Sequence, residues 1–283
     1  MADNENKVFI NGQIISAEKA CISVFDRSFL YGDGVFETLR TYNDNIFLLD
    51  QHIERLYISA KLIRLEIPWS KEWIKEAALK TVIENKGLND LILRITISRG
   101  VQKGGVLPEK NIVPTIVLTT REIEDGRIKD SWKVIISTIR RNDKRAIDPL
   151  AKSANFLNNI LAGLEGQDAG ADESLMLNID EKVTEGTVSN VFIVKEDVII
   201  TPPITDGLLR GITRDQVILL AKRGSLALIE KSIKIDDLYG ADEIFLTLSS
   251  QGIVPVTEID RNMMTVGNIT EKLISEYNKM TDE

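Results

Sequence analysis

The chain has 283 residues, of which 43% are hydrophobic and 28% charged, and its formal net charge is −8 at pH 7. This length allows two domains of ordinary size, and the negative charge argues against nucleic acid or an anionic membrane surface as the main partner. Cys21 is the only cysteine, so an internal disulfide is excluded and we expect a cytoplasmic protein.

The first half of the chain predicts hairpins and two helices. Asn11-Gly12 is typical of a tight hairpin turn. Further strands are expected at 35–42, 46–49, 91–98 and 114–120, where apolar residues dominate or alternate. Asp50 is expected to cap a first helix that ends near Ile63. A second helix is expected over 70–86, ending at Gly87.

The second half also mixes strands with helices. Strands are expected at 132–140, 174–177, 190–194, 198–201, 226–230, 243–248 and 253–256. Helices are expected up to about Gln167, from about Thr213 to Arg223, and at the C-terminus. Because both halves interleave strands and helices and contain several hairpins, an α+β fold fits better than a doubly wound sheet.

Several common classes of enzyme are excluded by composition. His52 is the only histidine, so the chain lacks the His and Cys ligands of a zinc site, and we expect no metal. A serine hydrolase triad would also depend on His52. Gly32-Asp33-Gly34 is followed by Glu37 where a dinucleotide fingerprint has its third glycine. No apolar run approaches the roughly 20 residues of a membrane span, so we expect no membrane partner.

Lys152 has unusual neighbours for a lysine. It is the only charged residue between Asp148 and Glu165, and the residues beside it are small or apolar. Burial disfavours the ammonium form of lysine and lowers its pKa, which makes the amine nucleophilic. Such an amine can form a Schiff base with a carbonyl compound. The alternative is a lysine whose stem covers an apolar helix while its ammonium stays in water.

Three further stretches contain groups that suit a cofactor. Thr213 and Gln216 have capping-box spacing, which predicts a helix N-terminus at Thr213, a favourable place for phosphate. Glu185 precedes a glycine and an apolar strand, where a carboxylate could stabilise a protonated ring nitrogen. The polar turn 247–252 offers hydroxyl and N–H groups to an anion. Each stretch also has an ordinary interpretation, as a capped helix, a solvated turn glutamate or a polar turn.

Taken together, these groups match pyridoxal 5′-phosphate, which contains an aldehyde, a pyridine nitrogen and a phosphate. Their order and spacing resemble the fold-type IV pyridoxal-phosphate enzymes, the class IV aminotransferases, over nearly the whole chain. The stretches that carry the resemblance are Tyr31-Gly-Asp-Gly-Val-Phe36-Glu-Thr-Leu-Arg40, His52-Ile-Glu-Arg55-Leu56, Lys152-Ser-Ala-Asn155-Phe-Leu-Asn158, Glu185-Gly-Thr-Val-Ser-Asn190 and Arg210-Gly-Ile-Thr213-Arg-Asp215.

The resemblance implies a two-domain α+β fold. We expect a smaller N-terminal α/β domain, a larger barrel-like C-terminal α/β domain that binds pyridoxal phosphate, and the cofactor between them. The expected boundaries are 1–121 for the first domain, 122–131 for a connector and 132–283 for the second. Because neighbouring subunits contribute to the pockets in this family, we also expect a homodimer or a higher homo-oligomer.

The resemblance also implies roles for individual residues. Lys152 would form the internal aldimine and move the proton between the substrate Cα and the cofactor, and Glu185 would keep the pyridine nitrogen protonated. The expected phosphate ligands are Arg55, Ile212, Thr213 and Ser249, assisted by Ser250. Leu209 would pack on the ring. The residues expected to line the substrate side are Tyr31, Phe36, Arg40 and Arg94.

The expected reaction is transamination of branched-chain or similar apolar L-amino acids, with 2-oxoglutarate as the amino acceptor. Tyr31 and Phe36 suit an apolar side chain, whereas Arg40 and Arg94 suit an acidic one. A pocket that accepts both leucine and glutamate needs this mixture. Amino acids and 2-oxo acids are therefore the expected small-molecule partners.

Other activities stay open at this point. Thr38 and the stretch 252–256 are similar to aminodeoxychorismate lyase, which eliminates pyruvate to give 4-aminobenzoate. D-amino acid aminotransferases carry an Arg-x-His pair after the strand of Arg94, and the stretch 100–105 offers no such pair. A non-catalytic member of the family is a further alternative, against which the presence of both Lys152 and Glu185 argues.

Overall fold

In the part of the chain that the structure describes, the strands form two sheets, each with its own helices. The computed structural model describes residues 6–42, 45–85, 90–123 and 128–282. By their internal contacts the residues divide into two units, Met1–Glu124 with Ala151–Phe156, and Asp125–Leu150 with Leu157–Glu283. A short segment from the middle of the chain, which contains Lys152, therefore belongs to the first unit.

The first unit is built on an antiparallel sheet. Its elements are β1 (Lys7–Ile10), β2 (Gln13–Ser16), α1 (Arg27–Tyr31), β3 (Gly34–Tyr42), β4 (Asn45–Ile46), α2 (Leu49–Leu62), α3 (Lys71–Glu84), β5 (Leu91–Ser98) and β6 (Thr115–Glu122). Within the described residues the strands lie in the order β2-β1-β6-β5-β3-β4, and each pairing is antiparallel. Apolar residues of α2 and α3 share one core with the sheet.

Strand β3 has two different faces because successive side chains point to opposite sides. Val35, Glu37 and Leu39 are fully buried, and Val35 and Leu39 belong to the core that α2 helps to form. Burying an aliphatic side chain of this size stabilises the fold by about 1.5–3 kcal/mol. Phe36 and Arg40 lie on the opposite face, which therefore carries the residues predicted to meet substrate.

Several elements of the first unit were predicted correctly. The strand expected at 91–98 is confirmed as β5. Ser70 caps α3, because its hydroxyl accepts a hydrogen bond from the N–H of Trp73 at 3.1 Å. The predicted end of this helix, at Lys86 and Gly87, lies outside the described residues.

The predicted start of α2 is wrong. Leu48 adopts a left-handed backbone conformation, with φ 53°, and is the N-cap, so the helix begins at Leu49 rather than after Asp50. The strand expected at 46–49 shortens to Asn45–Ile46 for the same reason. Asp50 instead lies in the first turn, where a negative charge interacts favourably with the helix dipole.

The second unit contains a mixed sheet. Its elements are β7 (Trp132–Ile136), α4 (Leu157–Ala169), β8 (Glu173–Leu177), β9 (Val183–Gly186), β10 (Asn190–Lys195), β11 (Val198–Thr201), α5 (Ile212–Arg223), β12 (Leu228–Glu230), α6 (Ile235–Tyr239), β13 (Glu243–Leu248), β14 (Gly252–Ile259), β15 (Asn262–Met263) and α7 (Asn268–Asp282). The strand order is β12-β11-β10-β13-β14-β7-β8-β9, with β15 beside β14. Strand β7 is parallel to both of its neighbours, and β11 is parallel to β12.

Most predicted strands of the second unit are confirmed, and two of them, 198–201 and 243–248, match to the residue. The strand expected at 132–140 ends earlier, at Ile136. Beyond it, the hydroxyl groups of Ser137 and Thr138 both donate to the Glu165 carboxylate on α4. These contacts draw the chain away from the sheet.

The predicted α+β class with two domains is confirmed by these elements and units. The proposed connector overlaps the end of β6 at Glu122, and its residues 124–127 lie outside the described part of the chain. The boundaries at 121 and 132 stay a prediction. Of the helices that the structure describes, none is long and apolar enough to cross a membrane.

Candidate active site

Lys152 lies on an extended segment beside the start of β3 and not on a helix. Its carbonyl accepts a hydrogen bond from the N–H of Phe36 at 3.0 Å, and its own N–H donates to Ser59 Oγ at 3.0 Å. The next residue, Ser153, forms an antiparallel bridge with Val35. The backbone of the lysine is thus held by β3 on one side and by α2 on the other.

The amine of Lys152 faces an aromatic ring. Nζ lies 4.6 Å from the ring centroid of Phe36, and the Arg94 guanidinium lies 3.8 Å from the same centroid. Phe156 meets this ring edge-on, with 5.6 Å between centroids. A contact between a cation and an aromatic ring contributes about 0.5–1 kcal/mol at an exposed site. Lys152, Phe36 and Arg94, which were predicted separately, therefore form one cluster.

Arg40 shares a sheet face with Phe36 but has its own partners. It lies four residues further along β3, a distance of about 13 Å in an extended strand. Its guanidinium donates to Asp90 at 3.0 Å and lies 4.3 Å from the ring centroid of Tyr42. These contacts hold Arg40 towards the end of the strand, away from the Phe36 position.

Tyr31 ends the short helix α1 and leads into the turn before β3. Its ring lies under the Arg27 guanidinium, at 5.0 Å. The turn is fixed by Asp33, which accepts hydrogen bonds from Arg27 Nε and Arg99 Nε, each at 2.8 Å. Burial raises the pKa of Asp33, but the hydrogen bonds and charges of the two arginines outweigh this effect and lower it. Asp33 is therefore an ionised anchor for the turn that carries Tyr31.

Arg55, predicted to bind phosphate, is held by a buried carboxylate. Its Nε donates to Oε1 of Glu37 at 2.8 Å and its Nη2 to Oε2 at 2.7 Å. Nδ1 of His52 lies 2.7 Å from the same Oε2. Burial alone would raise the pKa of Glu37, but Arg55 and His52 together hold it at about 2. Glu37 is therefore ionised although its side chain is fully buried.

Glu185 lies in the second unit on β9 and is 5% exposed. Its Oε1 accepts a hydrogen bond from Arg141 Nε at 2.7 Å, and its Oε2 accepts from the N–H of Leu209 at 2.9 Å. The side-chain amide of Asn190 donates to the carbonyl of Leu209 at 2.9 Å. The interpretation of Glu185 as a solvated turn residue is therefore wrong, because the carboxylate is buried and held from several sides.

The helix N-terminus expected at Thr213 begins at Ile212, with Gly211 as the N-cap, so the predicted capping box is wrong. A Cβ at Gly211 would lie 1.9 Å from Oδ1 of Asn190, so only glycine fits here. In the described part of the chain no side chain caps α5. The N–H groups of its first turn have no acceptor within the helix, and Ile212 and Thr213 bring them into a buried region.

Ser249 and Ser250 form the turn between β13 and β14, as predicted from their polar surroundings. Just before this turn lies Thr247, which is 2% exposed and pairs with Asn190 across the sheet. The hydroxyl of Thr247 has no hydrogen-bond partner among the residues that the structure describes. A buried hydroxyl without a partner is unusual and indicates a place for a polar ligand atom.

Sequence reasoning missed several residues that shape these sites. Arg141 gave no local signal, because it acquires its partner only in the fold. Glu173 was also missed. Its buried carboxylate accepts hydrogen bonds from the backbone N–H groups of Thr187 and Val188, at 2.9 and 3.1 Å, and so holds the loop that follows Glu185.

The groups of each unit fit pyridoxal 5′-phosphate. The first unit supplies the amine of Lys152 and the guanidinium of Arg55. The second supplies the buried carboxylate of Glu185, the uncapped N-terminus of α5 and the unpaired hydroxyl of Thr247. An amine suits the aldehyde, a carboxylate suits a protonated pyridine nitrogen, and a helix N-terminus suits the phosphate. Groups of these kinds are what an enzyme that depends on pyridoxal phosphate requires.

Comparison with known proteins gives the family. The sequence profile described as Amino-transferase class IV matches residues 34–259. A protein of Methanocaldococcus jannaschii, provisionally named a branched-chain-amino-acid aminotransferase, is 40% identical over 96% of this chain and 95% of its own length. A D-alanine aminotransferase of Bacillus licheniformis is 34% identical over 90% of this chain and 88% of its own length.

A solved structure supports the same assignment. The T.th. branched-chain amino acid aminotransferase, in complex with N-(5′-phosphopyridoxyl)-L-glutamate, superposes with a TM-score of 0.91. It is 31% identical, and the match covers 98% of this chain and 94% of that one. The chain belongs to the class IV aminotransferases. It has fold type IV, and its cofactor is pyridoxal 5′-phosphate.

Proposed function

We propose that the enzyme transfers the amino group of branched-chain and similar apolar L-amino acids to 2-oxoglutarate. The observation that carries this proposal is the contact between Phe36 and Arg94, which presents an aromatic surface and a cation within 3.8 Å of each other. Phe36 suits an apolar side chain, and Arg94 suits the second carboxylate of glutamate. The ligand of the T.th. structure, a phosphopyridoxyl-L-glutamate, supports glutamate as one of the two amino acids.

The proposed cofactor ligands are those that the family motifs imply. Lys152 would hold it covalently through Nζ, and Glu185 would face the pyridine nitrogen. The proposed phosphate ligands are Arg55, Ile212, Thr213, Ser249 and Ser250. Leu209 would pack on the ring, since its N–H already contacts the Glu185 carboxylate. When bound, pyridoxal phosphate supplies an electron sink for the negative charge that develops at the substrate Cα.

Lys152 is also proposed to transfer the proton. The lysine amine would take the proton from the substrate Cα and deliver it to the cofactor, so that the proton is moved and not merely returned. The hydrogen bonds of the Lys152 backbone to Phe36 and Ser59 fix the base of its side chain. Glu185, which Arg141 keeps paired at 2.7 Å, would hold the proton at the ring nitrogen throughout.

A second candidate is a D-amino acid aminotransferase, and the Bacillus licheniformis relative favours it. The loop after β5 argues for the first proposal. The described residues of this loop contain no Arg-x-His pair, and its buried side chain is Gln102. The Gln102 amide donates to the carbonyls of Gly104 and Leu107, at 2.7 and 3.0 Å. It thereby closes the loop on itself and offers no trap for a substrate carboxylate.

We also infer a homodimer or a larger homo-oligomer. Helix α4 carries an apolar stripe at helical spacing that is 44–62% exposed, made of Leu157, Ile160, Leu161 and Leu164. The first unit exposes apolar residues in α1 and in the loop after β5, among them Phe29 at 73% and Leu107 at 82%. Exposed apolar surface of this kind is typical of a protein–protein interface. Sedimentation of the purified protein tests this inference, and a monomer would contradict it.

The substrate proposal is tested by the visible absorption of the holoenzyme. L-leucine and L-glutamate, added separately, should each bleach the absorption of the bound cofactor, and D-alanine should leave it unchanged. Bleaching by D-alanine but not by L-leucine would favour the second candidate. Release of pyruvate from aminodeoxychorismate without an amino acceptor would contradict both.

The role of Lys152 has a test that does not depend on turnover. Borohydride reduction of the holoenzyme, followed by peptide mass spectrometry, should find the cofactor on the peptide that contains Lys152. The variant Lys152→Ala should carry no cofactor after the same treatment. Cofactor attached to a different lysine would contradict the assignment.

A further inference from the structure

Two residues of the motifs that indicated the family have no role in the reaction proposed above. They are Glu37, which follows Phe36 on β3, and His52, one turn before Arg55 on α2. Glu37 has no exposed surface, His52 is 2% exposed, and both contact each other at 2.7 Å. Buried polar groups that cost this much solvation are commonly kept for a specific purpose.

Glu37 fixes the orientation of the Arg55 guanidinium. A guanidinium is planar and carries five N–H donors in a rigid fork. Glu37 accepts one hydrogen bond from Nε at 2.8 Å and one from Nη2 at 2.7 Å, each on a different carboxylate oxygen. Two parallel bonds of this kind set both the plane of the group and its rotation. The direction in which Nη1 points is therefore determined by Glu37.

His52 completes the arrangement as a neutral donor. Burial lowers the pKa of His52, and this effect together with the charges of Arg55 and Lys152 outweighs the opposing influence of Glu37. Because the carboxylate of Glu37 is ionised, Nδ1 of the neutral imidazole carries the proton and donates it to Oε2. His52 thus adds a hydrogen bond to Glu37 without competing with Arg55 for its negative charge.

Helix α2 connects this arrangement to Lys152. Ser59, which accepts the hydrogen bond from the Lys152 N–H, lies one turn after Arg55 and therefore on the same side of the helix. Glu37 pairs with Arg55, and the neighbouring N–H of Phe36 donates to the carbonyl of Lys152. The guanidinium and the lysine backbone are thus located by the same two elements, β3 and α2.

We propose that Glu37 is a positioning residue that aims Arg55 at the phosphate of the cofactor, with His52 as its neutral support. The inference rests on the proposed function, which assigns Arg55 to that phosphate. Arginine is suited to this task because its charge does not depend on pH and its donors match phosphate oxygens. Without Glu37 the guanidinium keeps its charge but loses its fixed direction.

The test compares two ligands that differ only in the phosphate. Cofactor-free protein is titrated with pyridoxal 5′-phosphate and, separately, with pyridoxal. The ratio is the dissociation constant of pyridoxal divided by that of pyridoxal 5′-phosphate, and a high ratio means strong recognition of the phosphate. We expect Glu37→Gln to weaken binding of pyridoxal phosphate by about 10- to 100-fold, the range expected for charge-assisted hydrogen bonds. Binding of pyridoxal should change by less than about twofold. Glu54→Gln is the matched control, because Glu54 lies on α2 but pairs with Lys71 at the surface.

A merely structural role of Glu37 would give a different result. It would weaken binding of both ligands equally and leave their ratio unchanged, and this outcome would overturn the inference. In the background of Arg55→Met, Glu37→Gln should have no further effect on the ratio, because the group that it positions is gone. A further loss in that background would also contradict positioning through Arg55.

The design separates failure of the inference from failure of the proposed function. If Arg55→Met leaves the ratio unchanged, the phosphate role of Arg55 is wrong and the inference falls with it. If Arg55→Met lowers the ratio but Glu37→Gln does not, only the inference is wrong. Should Glu37→Gln not fold, Arg55→Lys tests the same point, because lysine keeps the charge but cannot be held by two parallel bonds. It should then lose recognition of the phosphate as Arg55→Met does.

Discussion

Replacing Arg141 with methionine should destabilise the protein by about 3 kcal/mol, because it leaves the Glu185 carboxylate buried without its cation. The Arg141 and Glu185 side chains are 11% and 6% exposed, and their ion pair is 2.7 Å long. Breaking a buried pair by removing one partner commonly costs about 3–5 kcal/mol. The hydrogen bond from the N–H of Leu209 to Glu185 is retained in the variant, so the lower end of that range is expected.

The measurement is the free energy of unfolding of cofactor-free protein in urea, so that cofactor binding does not contribute. Arg140→Met is a closely matched control. Arg140 precedes Arg141 and also pairs with a glutamate, Glu181, at 2.6 Å, but the two side chains are 35% and 60% exposed. An exposed pair of this kind contributes at most about 1 kcal/mol. The difference between the two variants therefore isolates the effect of burial.

A double-mutant cycle with Glu185→Gln completes the test. If the loss in Arg141→Met comes from the isolated charge of Glu185, the double variant should recover about 2 kcal/mol, because both charges are then absent. Equal losses in Arg141→Met and Arg140→Met, or a coupling energy near zero, would refute the reasoning. In that case Glu185 would be held mainly by its neutral donors, including Leu209.

Three further changes follow from other contacts. Acidification should destabilise the cofactor-free wild-type protein more than it destabilises the Glu37→Gln variant. The pKa of Glu37 falls from its usual 4.5 to about 2 in the fold. Its contribution of about 3 kcal/mol to the free energy of unfolding is therefore present above about pH 4.5 and is lost as the pH falls towards about 2. Equal acid slopes in urea titrations would contradict this. Gly211→Ala should destabilise the protein by about 1–3 kcal/mol, because its Cβ would lie 1.9 Å from Asn190. Gly163→Ala should instead stabilise α4 by up to about 1 kcal/mol, because its Cβ would meet nothing closer than 3.9 Å. Thermal unfolding of both variants checks this contrast. Thr247→Val should stabilise cofactor-free protein by about 1 kcal/mol, because it removes a buried unpaired hydroxyl, and a loss of stability would indicate a partner for that hydroxyl.

The sequence was informative where a pattern repeats or a residue type is unusual for its surroundings. The alternation of β5 predicted its limits correctly. The apolar neighbours of Lys152 indicated a special lysine, and the structure gives it a backbone held by β3 and α2. These features depend on neighbouring residues, so they can be read without knowledge of the fold.

Features that depend on distant partners could not be read in this way. Arg140 and Arg141 are identical neighbours in the sequence, yet only Arg141 reaches the buried Glu185, 44 residues away. Local rules also failed at α5. Thr213 and Gln216 have the spacing of a capping box, but the N-cap is Gly211, whose close approach to Asn190 leaves no room for a side chain.

Each unit buries a carboxylate that pairs with an arginine from another part of the chain. This similarity indicates that the two buried ion pairs serve the function of the protein and not mainly its stability. Glu37 pairs with Arg55 in the first unit, and Glu185 pairs with Arg141 in the second. Apolar side chains of similar volume would commonly stabilise a fold at least as well as a buried ion pair. An ion pair does provide a charged group with a fixed direction, which an apolar side chain cannot. In the proposed function one pair orients a cation for the phosphate, and the other orients an anion for the ring nitrogen.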